Sequence, residues 1–193
     1  MQITLKLLIF VIALMRAGAT PLSAETFTER VESCLACHGA KGESEIPEVP
    51  SLGGQPAPYV LIQLYLFREK QRAVDIMNEV TAKFTDDDLR VFSDYVATLP
   101  PPRPSSDGAD DARLQSGRAL ITQQRCNSCH GLDLAGKESI PRIAAQREDY
   151  LIKSMREYKS NARPGYDPAM ASVMAPIDDA QITDLAYAVA RFR

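Results

Sequence analysis

The chain has 193 residues, 45% hydrophobic and 24% charged, with a formal net charge of −3. That length allows one or two small domains. The mildly acidic balance gives no support for nucleic-acid binding, which calls for a basic stripe or patch.

Residues 1–24 read as a secretory leader. Lys6 precedes an apolar run from Leu7 to Met15, and small residues follow, so cleavage is expected after Ala19 or Ala24. The run is shorter than the roughly 20 residues of a membrane span, and Arg16 interrupts it; a retained N-terminal anchor is the weaker reading. No later segment reads as a span. Removing residues 1–24 takes away Lys6 and Arg16 and no acids, leaving 20 basic and 25 acidic residues, a formal −5.

Next comes Cys34-Leu35-Ala36-Cys37-His38, and 92 residues on the pattern returns as Cys126-Asn127-Ser128-Cys129-His130. Together the two copies use every cysteine and histidine of the chain. C-x-x-C-H is the signature of covalent c-type haem attachment: the thiols add across the vinyl groups, and the histidine that follows lies under the iron. A thioredoxin-like dithiol would need a βαβ pattern, and none is visible. A zinc ribbon places its two knuckles about 15–20 residues apart, and zinc gives no reason for a histidine after each pair. Covalent attachment requires export, so the leader and the motif agree.

The repeat extends beyond the motif. Pro50 follows His38 by 12 residues, and Pro141 follows His130 by 11. Gln55 and Tyr59 come after the first proline, and Gln146 and Tyr150 come after the second at the same offsets. Each tyrosine opens a helical stretch, Tyr59–Phe67 and Tyr150–Tyr158. Each half closes with an amphipathic helix. The first is expected over about Asp86–Leu99, with Leu89, Phe92, Val96 and Leu99 on one face and Thr85 as N-cap before three aspartates. The second is expected over about Asp178–Phe192, with Ile182, Leu185, Ala186 and Val189 inward. Between the halves, the proline-rich segment from Pro100 cannot be helix and reads as a stiff, partly extended spacer. The expected organisation is a leader over 1–24, domains over 25–99 and 110–193, and a linker over 100–109. Both domains are expected to be all-α. Domains this small have small cores, so a covalent haem would supply much of the apolar filling.

With both histidines used as proximal ligands, the sixth iron ligand must be Met, Lys, an amine, water or nothing. Met is expected for an electron carrier, because it raises the potential. The repeat selects Met77 and Met170, which precede Leu89 and Ile182 by 12 residues each and follow Arg72 and Arg163. Met174 is the rival in the second half, and Met155 reads as core. Pro50 and Pro141 are placed to accept a hydrogen bond from the proximal histidines. Tyr59 and Tyr150 are expected either to reach a haem propionate or to pack in the core. Arg72 and Arg163 could pair with propionates, although solvated surface is the commoner fate of arginine.

These residues resemble the di-haem cytochrome c4 family, two class I cytochrome c domains in tandem. The resemblance rests on CLACHG and CNSCHG, on Pro-x-x-x-x-Gln-x-x-x-Tyr in both halves, on Arg-x-x-x-x-Met in the first, and on the Asp-rich starts of the closing helices. It spans nearly all of residues 30–192. It implies a pseudo-twofold between the domains, two covalently bound haem c groups with His/Met ligation, propionates near the interface, and a periplasmic electron carrier delivering towards a terminal oxidase. The longer stretch between Arg163 and Met170 departs from the first half, as does Ala144-Ala145 in place of Gly53-Gly54. Redox proteins, oxidase or dehydrogenase, are the expected partners, with no nucleic acid and only loose membrane association through those partners. The alternatives are a haem subunit of a periplasmic dehydrogenase such as a sulfide-oxidising flavocytochrome and, more remotely, a di-haem peroxidase or thiosulfate-oxidising cytochrome.

Overall fold

The computed structural model describes residues 25–106, 108, 110–163 and 168–193. The expected leader, 1–24, lies outside the described residues. The described chain is helical: α1 Phe27–His38, α2 Ala57–Arg68, α3 Asp75–Thr81, α4 Asp86–Thr98, α5 Asp111–Gln123, α6 Cys126–His130, α7 Glu148–Lys159, α8 Ala169–Met174 and α9 Asp179–Ala190. An isolated bridge between Lys137 and Ile140 is the one β pairing recorded among the described residues. No described helix is long and apolar enough to cross a membrane.

The chain separates into two compact units, Met1–Arg30 and Val31–Arg193. In the first, Thr26 opens α1 with a capping box. Its N–H donates to Glu29 Oε2 at 2.7 Å, and the Glu29 N–H donates to Thr26 Oγ1 at 3.3 Å.

The second unit holds both halves of the repeat. In the first half, α2 packs on α3 and α4. Thr85 accepts from Asp88 N at 3.1 Å, and Asp88 Oδ2 accepts from Thr85 N at 2.8 Å, so both orphan donors of the α4 start are satisfied. Leu89, Phe92, Val96 and Leu99 are buried at the expected spacing, and Pro100 stops the helix. Thr85→Ala is expected to lower stability by ~1 kcal/mol, measurable as a lower guanidinium midpoint with an unchanged slope.

In the second half, α9 packs on α5 and α7. Its N-cap Asp178 accepts from Gln181 N at 2.8 Å, and Ile182, Leu185, Ala186 and Val189 are buried. The α5–α9 crossing is close at Gly117, where an added Cβ would meet Asp184 O at 2.2 Å and Ala188 Cβ at 2.5 Å. Gly117→Val is therefore expected to destabilise the second half by ~1–3 kcal/mol through overpacking, read as a lower unfolding midpoint.

The loops that carry Pro50 and Pro141 are tied in the same way. Gly42 O accepts from Leu52 N and Gly53 N, and Leu134 O accepts from Ile143 N and Ala144 N. Gly54 N donates to Leu99 O, and Ala145 N donates to Val189 O. Gly54 and Ala145 both adopt left-handed backbone, φ +66° and +58°, so alanine here costs ~1–2 kcal/mol that glycine would not. The described residues of the proline-rich segment and the N-cap after it are pinned at several points. Ser105 N donates to Ala190 O at 2.9 Å, Arg103 pairs with Glu43 at 3.2 Å, and Asp110 N donates to Tyr187 Oη at 2.6 Å.

Candidate functional site

Cys34, Cys37 and His38 end α1, and Cys126, Cys129 and His130 make up most of the short α6. Spacings of three and four residues on a helix place these groups on one face. A glycine in left-handed backbone follows each histidine, Gly39 at φ +86° and Gly131 at φ +87°. At Gly39 a Cβ would lie 2.0 Å from Glu43 O, so the turn admits glycine only. α6 is a separate helix because Arg125, at φ +56°, breaks it from α5. Cys34 and Cys126 are half-buried, while Cys37 and Cys129 are exposed.

Both histidines are buried and held identically. His38 Nδ1 lies 2.8 Å from Pro50 O, and His130 Nδ1 lies 2.9 Å from Pro141 O. A carbonyl can only accept, so each Nδ1 carries the proton and each Nε2 keeps its lone pair. Burial pushes both imidazoles below the usual histidine range, against the pull of the backbone hydrogen bond. The neutral, ligating form is the one favoured.

The methionine-bearing helices sit in corresponding places. Met77 is partly buried on α3. Asn78 fixes the approach to that helix: its Nδ2 donates to Phe67 O at 2.7 Å and Arg72 O at 2.8 Å, and its Oδ1 accepts from Val74 N at 2.9 Å. Met170 is partly buried against the second-half core, whereas Met174 lies within that core at 2% exposure. Residues 164–167, in the longer stretch before Met170, fall outside the described residues.

Two pairs of side chains cross between the halves, each with its counterpart when the halves are exchanged. Ser51 N donates to Gln146 Oε1 at 2.8 Å, and Gln146 Nε2 donates back to Ser51 O at 2.8 Å. Arg142 N donates to Gln55 Oε1 at 3.1 Å, and Gln55 Nε2 donates to Arg142 O at 2.8 Å. Arg72 Nη2 donates to Tyr150 Oη at 3.2 Å, and Arg163 Nη2 donates to Tyr59 Oη at 3.4 Å. Such i-to-j and j-to-i contacts are the mark of a twofold. Arg147 adds a bond to Ser44 O at 2.9 Å, and Lys153 pairs with Glu48 at 2.9 Å.

Tyr59 and Tyr150 therefore belong to a polar cluster at the interface. Arg72 also donates to Gln63 Oε1 at 2.7 Å, and Arg163 donates to Ser154 Oγ at 3.1 Å and Gln63 Oε1 at 3.3 Å. Arg72 and Arg163 are only 8% and 5% exposed, so the solvated-surface fate expected of arginine does not hold for either. Burial pushes Tyr59 up to about 12. Burial also works to raise Tyr150, but Arg163 and Arg72 outweigh it and bring it down to about 7. The cluster thus holds two buried cations against phenol, amide and hydroxyl oxygens with no carboxylate among their described bonded partners, and Arg72 Nε is buried with no hydrogen-bond partner. This is the chemistry of an anion site, and it fits the propionates of the expected haems. The thiol pair and neutral imidazole in each half complete a donor set that fits covalent haem.

Gln63, Ser154 and Asn78 were not among the residues singled out in the sequence. Gln55 and Gln146 stood out only as repeat markers. The shared offset of those glutamines is the one signal that pointed towards their role.

The cytochrome c family profile matches residues 114–187. A cytochrome c4 of Thiocapsa roseopersicina is 31% identical over 162 residues, covering 77% of this chain and 81% of that protein. A thiosulfate dehydrogenase electron acceptor of Thiomonas intermedia is 28% identical, covering 84% of this chain and 80% of that protein. Among solved structures, the cytochrome c4 of Acidithiobacillus ferrooxidans matches with TM-score 0.73 and 28% identity, covering 83% of this chain and 99% of that one. A thiosulfate dehydrogenase of Marichromatium purpuratum matches with TM-score 0.71 and 26% identity, covering 83% of this chain and 36% of that one.

Proposed function

Because the chain belongs to the di-haem cytochrome c4 family, tandem cytochrome c domains with two covalently bound haem c groups, we propose that it is a periplasmic carrier of single electrons between respiratory donors and acceptors such as a terminal oxidase. Bound haem c supplies a one-electron couple at its iron. The residues of this chain do the rest. Cys34 with Cys37 and Cys126 with Cys129 anchor the groups. His38 and His130 are the proximal ligands, oriented by the Pro50 and Pro141 carbonyls. Met77 and Met170 are the distal ligands, and the core position of Met174 favours Met170 over it. Arg72, Arg163, Tyr59 and Tyr150 face the propionates. The domains take the bounds 25–99 and 110–193, with the linker over 100–109 and a cleaved leader over 1–24.

One observation supports this reading most strongly. Both imidazoles are buried, proton-committed at Nδ1 and available at Nε2, and each half also brings a methionine on a short helix. Held by His38 with Met77 and by His130 with Met170, the two haems would offer no open site to peroxide or thiosulfate, which supports a carrier over a catalyst. The relative from Thiomonas intermedia favours a dehydrogenase as the donor, and the partial match to a thiosulfate dehydrogenase favours, as a second reading, a haem subunit within such a complex. The test is to record the spin state of the oxidised, haem-loaded protein, to add hydrogen peroxide to one sample, and to reduce another with thiosulfate and a catalytic amount of a thiosulfate dehydrogenase. A carrier is wholly low-spin, is unchanged by peroxide and is reduced completely by thiosulfate and the enzyme. A high-spin component that reacts with peroxide contradicts the carrier reading. A stoichiometric complex that survives gel filtration favours the subunit reading.

A further inference from the structure

We infer that each half tunes the histidine ligand of the other through a hydrogen-bond relay across the interface, Gln146 acting on His38 and Gln55 acting on His130. The inference rests on the ligand roles proposed above for the two histidines. The peptide group between Pro50 and Ser51 is engaged at both ends. Its oxygen lies 2.8 Å from His38 Nδ1, and its N–H donates to Gln146 Oε1 at 2.8 Å. The peptide group between Pro141 and Arg142 repeats the arrangement. Its oxygen lies 2.9 Å from His130 Nδ1, and its N–H donates to Gln55 Oε1 at 3.1 Å.

The two ends of a peptide group share one resonance system. An acceptor at the N–H shifts charge towards the oxygen, and hydrogen bonds in a chain strengthen one another. A stronger carbonyl acceptor draws on the Nδ1 proton and makes the ring a more basic ligand at Nε2. A more basic ligand favours the oxidised iron and lowers the potential, since hydrogen bonding around the ligands is one of the levers on haem potential.

The glutamines are fixed for this role. Gln146 Nε2 donates to Ser51 O and Gln55 Nε2 donates to Arg142 O, both at 2.8 Å, and Gln146 Oε1 also accepts from Arg147 N at 3.0 Å, so flipping the Gln55 amide would break two bonds and flipping the Gln146 amide three. Ser51, Gln55 and Gln146 are 2%, 6% and 5% exposed. Both Gln146 bonds are buried, and the low local dielectric strengthens that relay; the Gln55 bonds to Arg142 are part-buried. A glutamine that only stapled the halves together would need to reach any backbone group of the partner. These two reach the one peptide group that also holds the partner's histidine.

The experiment uses the exported, haem-loaded full chain. Gln146→Met and Gln55→Met keep side-chain bulk and remove the acceptor. The potential of each haem is followed separately by redox titration, using the haem methyl NMR signals of each half. Gln146→Met is expected to raise the potential of the haem held by His38 more than that of the haem in its own half, and Gln55→Met is expected to give the mirror result. Gln146→Glu retains an acceptor of greater negative charge for Ser51 N and is expected to lower the His38 haem. Equal shifts of both haems, a larger shift in the variant's own half, or Met and Glu variants moving in one direction would each overturn the relay. If Gln146→Met fails to load two haems, Gln146→Asn, too short to reach Ser51 N, supplies the same reading. The ligand assignment is checked apart from this, in the unaltered protein. Two His-ligated low-spin haems there with unmoved variants sink the relay alone, while their absence sinks the ligand reading.

Discussion

Cys126→Ala together with Cys129→Ala is expected to halve the haem content and unfold the second half. The core of that half is built around α5, α7 and α9, and Cys126 and Met170 pack against it. Without the covalent group, the small domain loses much of its apolar filling. The first half is expected to keep its haem but to become less stable, because the Gln55 and Gln146 bonds to Arg142 and Ser51 go with the partner. Two buried and two part-buried hydrogen bonds at about 0.5–1.5 kcal/mol each amount to a loss on the order of 2–6 kcal/mol. Haem per chain and the denaturant midpoint of the remaining haem band measure the two effects. Full haem content, or an unchanged first-half midpoint, would contradict the reading of the motif or of the interface.

Met77→Ala and Met170→Ala are each expected to remove half of the weak far-red band of thioether-to-iron charge transfer in the oxidised protein. Each should also lower the potential of its own haem by a substantial part of the roughly 0.8 V that axial ligands command. Met174→Leu is expected to leave the band and both potentials in place, because Met174 is 2% exposed within the second-half core and a volume-conserving change there costs little. Loss of the band in Met174→Leu but not in Met170→Ala would move the second distal ligand to Met174.

The haem motif, the repeat and the amphipathic helices were legible because each is a local pattern. Thr85 and its aspartates announced α4, and Leu89, Phe92 and Val96 announced the buried face. The boundaries agree within a residue or two, Asp86–Thr98 against the expected Asp86–Leu99. What the sequence left hidden depends on contacts between distant residues. Gln146 and Ser51 lie 95 residues apart and Gln55 and Arg142 lie 87 apart, and no periodicity encodes their pairing. Arg72 and Arg163 looked like surface residues because the oxygens that bury them, Tyr150 for one and Tyr59 for the other, come from the opposite half. The break between α5 and α6 was equally hidden, since Arg125 in left-handed backbone leaves no mark in composition.

The most direct test of the central claim is the optical spectrum of the exported, haem-loaded protein in both oxidation states, with haem per chain quantified. The account expects two haems per chain, both low-spin, with the far-red charge-transfer band at full strength for two thioether ligands. One haem per chain, a band at half strength, or a high-spin signature that shifts on adding cyanide would contradict it.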